Sequence, residues 1–175
     1  MITRKISRAA LAAAMATTLL AAAPMADAVS YSNGTKTANF EVTLKIIADC
    51  TIATQPLDFG QSQGVLANTV TVNTTLSVTC TNTTPYNVGL NAGTGTGSTT
   101  AARVMSGTGA NTSTVAYNLF QAAGATNWGN TQGTDTRSGT GSGTAQTLTV
   151  YGAIPAQATP QPDTYKSTIT ATVYF

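Results

Sequence analysis

Apolar residues recur at every second position over most of the chain beyond residue 37. In TANFEVTLKIIADC, Thr37 to Cys50, the side chains of Phe40, Val42, Leu44 and Ile46 fall on one side of an extended strand, because successive strand side chains alternate faces. The same parity links Val70, Val72, Leu76, Val78 and Cys80 in TVTVNTTLSVTC, and Tyr86, Val88 and Leu90 in YNVGL. It links Val115, Tyr117 and Leu119, then Leu148 and Val150, and finally Ile169, Ala171, Val173 and Phe175. Between these runs lie NAGTGTGSTTA, SGTGANTS and GNTQGTDTRSGTGSGTA, rich in the residues of turns and loops. Apolar strands resume at short intervals on both sides, so these stretches read as long hairpin loops rather than interdomain linkers. No helical period is sustained beyond the first 28 residues. The pattern predicts an all-β chain, an antiparallel sandwich of immunoglobulin-like size.

The two ends of the pattern bear on function. The last alternating run stops at Phe175, with no residues after it for another strand, while the first follows a short polar leader, VSYSNGTKT. A sandwich without its final strand is expected to be open along one groove, which an alternating strand from elsewhere would fill. Phe40 to Ile46 is therefore either the first strand of its own closed sandwich or a strand offered to another molecule.

Residues 1–28 change the compartment. Arg4, Lys5 and Arg8 precede an Ala/Leu-rich run that closes on Ala26, Asp27 and Ala28, the small-x-small pattern of a signal peptide cleaved between Ala28 and Val29. As a membrane anchor the run is short of the roughly 20 apolar residues a spanning helix needs, and Pro24 breaks it. Removing 28 residues from 175 leaves 147, enough for one domain with a core. That part carries five cations, Lys36, Lys45, Arg103, Arg137 and Lys166, against five anions, Glu41, Asp49, Asp58, Asp135 and Asp163. The balance leaves no basic footprint for nucleic acid or an anionic membrane. A neutral hydroxyl and amide coat is weakly self-repelling and tolerates dense packing of copies. Cys50 and Cys80, 30 residues apart, are expected to pair after export.

Candidate chemistry is sparse. With no His, and with carboxylates scattered rather than paired, the usual general base and triad centre are missing, and the chain does not read as an enzyme. GTGTGSTT has the glycines of a phosphate loop without its GK[ST] ending. No metal or other cofactor is expected. Trp128 with Tyr117 and Tyr151 offers a stacking platform for a sugar, or Trp128 is a loop aromatic capping the sandwich. Asp58, Arg103 and Asp135 read as members of weak surface pairs.

Taken in order, NFEVTLKIIADCTI, LDFG at Leu57 to Gly60, LSVTCTNTTPYNVGLNAG, ARVMSG, VAYNLFQ, NWG, LTVYGAIPAQ and DTYKSTITATVYF resemble the spore coat protein U domain family, shared by subunits of archaic, Csu-type chaperone-usher pili. In QPDTY, Gln161 to Tyr165, this chain departs from the Gly that members usually carry before the Tyr. The resemblance implies an incomplete immunoglobulin-like sandwich completed by donor-strand exchange, with a signal peptide at 1–28, a donor segment at 29–47 and the pilin domain at 48–175. By position, Phe40, Val42, Leu44 and Ile46 would be the donor residues. Ile169, Ala171, Val173 and Phe175 would form the strand that a periplasmic pilus chaperone pairs with before an outer-membrane usher assembles neighbouring subunits. The implied role is a structural pilus subunit at the cell surface, serving adhesion and biofilm formation. A coat-type structural protein and a lectin-like module are the alternatives.

Overall fold

The computed structural model describes residues 34–61 and 65–175. The expected signal peptide and its Ala28–Val29 cleavage site lie outside the described residues. The chain divides into two units, Met1–Thr43 and Leu44–Phe175. In the first, residues 34–43 form no secondary structure.

The second unit is a sandwich of antiparallel strands with no helix among the described residues. One sheet holds β1 (Cys50–Thr54), β2 (Val70–Cys80), β7 (Gln146–Ile154), β5 (Thr114–Phe120) and β4 (Arg103–Ser106), in that order. The other holds β6 (Arg137–Thr140), β3 (Pro85–Leu90) and β8 (Ala171–Tyr174). The longest pairing runs from Val70 opposite Ile154 to Val78 opposite Gln146. The period-two residues become the core: Leu76, Val78, Cys80, Tyr86, Val88, Leu90, Val115, Tyr117, Leu119, Leu148 and Val150 are all buried, as a half-buried strand demands.

Three readings need correction. The last strand is shorter than its alternation, covering Ala171–Tyr174 only; these four residues are all half-buried, and Phe175 is 58% exposed. Arg103 is not a surface residue but fully buried, and Trp128 is buried with it. Trp128 Nε1 donates to Val88 O at 2.7 Å, and Tyr117 is also in the core, so these two rings present no platform to solvent. Three strands also emerge from what reads as loop or uncommitted sequence: β1 just behind the first alternating run, whose Phe40 to Ile46 form no strand, β4 within ARVMSG and β6 within the Gly/Thr-rich stretch.

Cys50 and Cys80 face each other across β1 and β2 and form a disulfide. Closing a loop of this length restricts the unfolded chain by about 3 to 4 kcal/mol. Cys80→Ser is expected to lose about that much, read as a lower urea midpoint that dithiothreitol does not lower further.

The LDFG motif has a local cause. Gly60 N donates to Asp58 Oδ1 at 2.8 Å, closing a turn that Gly60 completes at φ 74°. Asp58 thus caps a turn rather than joining a surface pair. The turn carries Leu57 and Phe59 onto β7 at Gly152, where a Cβ would lie 2.8 Å from Leu57 Cδ1 and 2.9 Å from Phe59 Cζ.

Asp163 braces the QPDTY segment, and Thr164 is not in the positive-φ region that would call for glycine. The Asp163 carboxylate accepts from Thr108 Oγ1 (2.6 Å), Thr108 N (2.8 Å), Asn111 Nδ2 (2.7 Å) and Thr164 N (2.7 Å). The Thr108 and Asn111 side chains lead in holding its pKa down, to about 2 from 3.8. Because the folded value is the lower one, the brace contributes fully above pH about 4 and is lost as pH falls through about 2. Amide exchange in residues 107–111 and 161–165 is expected to accelerate over that window in the native chain. Asp163→Asn should show faster exchange already at pH 7 and no such step.

Candidate groove

The sheets are unequal, five strands over three, and β8 is an edge of the narrower one. Beside that edge a groove of about 420 Å³ runs between the layers. Its floor is the inner face of the wide sheet: Leu76, Val150, Leu119, Tyr117 and Met105. Leu57 and Phe59 form one wall, with Phe59 edge-on to Tyr117 at 6.5 Å between ring centroids. The chain approaching β8, Ser167 to Ile169, and Ala171 at its start form the other.

Arg103 fixes that second wall. Its position in β4 opposite Tyr117 turns it inward, and its guanidinium donates to Asn91 O (2.9 Å), Thr100 O (2.9 Å), Leu90 O (2.8 Å) and Trp128 O (2.6 Å). Asn91 in turn holds Thr170: its N donates to Thr170 O at 3.1 Å and its Oδ1 accepts Thr170 N at 2.9 Å. Burial lowers the Arg103 pKa, opposed by the Tyr117 and Asp135 charges, yet the guanidinium stays protonated at neutral pH. Arg137 lies over the Trp128 ring at 5.9 Å, adding a cation–π contact to the same cluster.

The floor is apolar except for Tyr117 Oη, which is buried without a hydrogen-bond partner. Its pKa is pushed up by burial, with Ser167 and the Arg103 charge opposing; the Ser167 hydroxyl oxygen already accepts Thr94 N at 3.2 Å. Nothing in this lining supplies a nucleophile with a base beside it.

Of the residues singled out in the sequence, Ile169 and Ala171 line the groove, Val173 lies in the adjoining strand, and Phe175 is exposed beyond it. Phe40, Val42, Leu44 and Ile46 are 87%, 82%, 85% and 73% exposed and belong to no strand.

The fold is thus an immunoglobulin-like β-sandwich, open beside one edge strand over an apolar floor. The chain belongs to the Spore Coat Protein U domain family, whose sequence profile matches residues 36–172. Among solved structures it is similar to a chain of the CsuC-CsuE chaperone-tip adhesion subunit pre-assembly complex from archaic chaperone-usher Csu pili of Acinetobacter baumannii, with a TM-score of 0.54 and 24% identity. That similarity covers 74% of this chain and 40% of the other, so this chain spans less than half the length of the one it matches, and at this identity the likeness is one of fold. No curated protein matches the chain.

Proposed function

We propose that this chain is an exported structural subunit of a chaperone-usher pilus, polymerising by donor-strand complementation. One observation carries the reading: an apolar groove lies beside the free edge of β8, while alternating apolar side chains at Phe40, Val42, Leu44 and Ile46 stand exposed just ahead of Cys50. Burying four such side chains in a neighbour's groove contributes, as an upper bound, roughly 6 to 12 kcal/mol. Main-chain bonds to β8 add to this. Insertion of one copy into the next does not close on itself, so it yields a filament.

Before assembly, the free edge and groove are an aggregation hazard, and a periplasmic chaperone strand along Ile169 to Phe175 would cover them until an outer-membrane usher brings subunits together. The finished fibre would lie at the cell surface and serve adhesion and biofilm formation. The family description favours one other reading, a coat layer built from the same domain. Electron microscopy of expressing cells separates the two. Thin fibres labelled by antibody to this chain are expected; an amorphous labelled shell would replace the pilus with the coat.

A further inference from the structure

The outer face of the wide sheet carries a second concavity, of about 500 Å³, away from the groove. Its floor is two cross-strand rows: Thr71, Ala153 and Asn118, then Asn73, Tyr151 and Phe120. Its wall is a hairpin tip. Phe120 bridges Asn127, Gln121 N donates to Thr126 O at 3.0 Å, and Gly124 turns at φ 64°, which brings Ala123 and Gly124 to the cleft.

Three features define what fits. Tyr151 and Phe120 give two half-buried aromatic rings on adjacent strands. No acid or basic side chain lines the cleft, which disfavours a charged ligand. Its polar side chains are largely unspent: Thr71, Asn73 and the Tyr151 hydroxyl make no side-chain hydrogen bond within the described residues. Asn118 directs its amide nitrogen to Tyr117 O (3.0 Å) and Ala101 O (3.3 Å), in the orientation those acceptors require.

A strand is a poor occupant, because the cleft lies over the face of the sheet at β7, whose Tyr151 and Ala153 are paired with β2 on one side and β5 on the other and offer no main-chain edge there. The volume lies within the range of small-ligand sites, which combine an apolar lining with a few polar groups that fix orientation. Rings that accept the C–H face of a pyranose, surrounded by neutral hydroxyls and amides, match an uncharged sugar.

We propose that this cleft is a binding site for neutral oligosaccharides, with Tyr151 and Phe120 as stacking surfaces and Asn73, Asn118 and Thr71 as hydroxyl partners. The site belongs to one subunit and does not depend on strand exchange. In a fibre it would be repeated along the length, so weak single-site affinity would be raised by multivalency.

The test is an array of uncharged hexose and N-acetylhexosamine oligosaccharides probed with the purified mature chain, followed by calorimetry with the best binder. Tyr151→Ala and Phe120→Ala are expected to weaken binding about tenfold each, the scale of one lost aromatic contact. Tyr151→Phe should weaken it by a smaller factor. Thr147→Ala, on the same face outside the cleft, should leave it unchanged. Ala123→Arg at the exposed hairpin tip blocks the cleft without altering the sheet, and it is expected to abolish binding even if the aromatic variants misfold. The proposal is overturned if no neutral glycan binds at several millimolar, if only charged glycans bind, or if Ala123→Arg binds as well as the native chain. A fibre reconstruction showing a neighbouring copy packed over Tyr151 would equally end it.

Discussion

Deleting Ala38 to Ile46 from the mature chain is expected to give a subunit that folds, forms its disulfide and binds its chaperone, but halts every fibre it enters. The first half follows from the structure. The apolar side chains removed are 73% to 87% exposed and belong to no strand, so the sandwich loses no core contact. The second half follows from the proposed exchange. The deleted subunit keeps its groove and can accept a strand, yet it has none to give, so growth ends where donation is required. In a mixture with native subunit at one part in ten, fibre length by electron microscopy should fall steeply. Leu44→Asp should act in the same direction with less force, because one carboxylate then enters an apolar groove. The contribution at stake, roughly 6 to 12 kcal/mol for the four side chains, is far too large for weak residual contacts to replace. Normal-length fibres from the deleted protein would refute the donor assignment.

How much of this architecture the sequence discloses depends on what each residue answers to. Strands with one buried face write themselves as alternation, and β2, β3, β5 and β7 are legible for that reason. Short strands are not. In β6, Arg-Ser-Gly-Thr carries no apolar residue at all, and its pairing with β3 from Pro85 to Val88 is set by the neighbour rather than by its own side chains. The groove is legible only as a missing strand, since its walls come from a loop, Leu57 to Phe59, and from the approach to β8. Because NWG looks like a loop, the sequence leaves Trp128 as either a stacking platform or an aromatic capping the sandwich. The Trp128 indole is buried because Val88 O, at the heart of β3, accepts its N–H. Tyr151 and Phe120 sit on the outward parity of their strands, a signal present in the sequence, but only the fold shows that the two share a row.

Arg103 is the least legible residue and the one whose replacement should cost most. A charge in ARVMSG suggests solvent; the sole opposing hint is that it shares parity with Met105, which lines the groove. Its four acceptors are main-chain carbonyls of Leu90, Asn91, Thr100 and Trp128. Carbonyls cannot be mutated away, so any replacement that lacks the fork leaves them buried and unpaired, unlike a buried ion pair whose two partners can be exchanged together. Arg103→Ala, which adds a cavity, is expected to lose on the order of 5 kcal/mol, comparable to the whole margin of a domain this size. Arg103→Met, of similar length but with no donor, should recover only the packing part. Arg103→Lys should fall between Met and the native residue, because one ammonium cannot reach carbonyls arranged for a planar fork. Urea midpoints of the purified subunits read this order directly, and a Met variant as stable as the native chain would show that the four bonds contribute nothing net. The consequence reaches the groove as well. Arg103 holds Asn91, and Asn91 holds Thr170 through both N and Oδ1, so even the Lys variant should present a looser wall. Amide exchange at residues 167–171 is therefore expected to rise in Arg103→Lys, with that at β2 and β7 little changed.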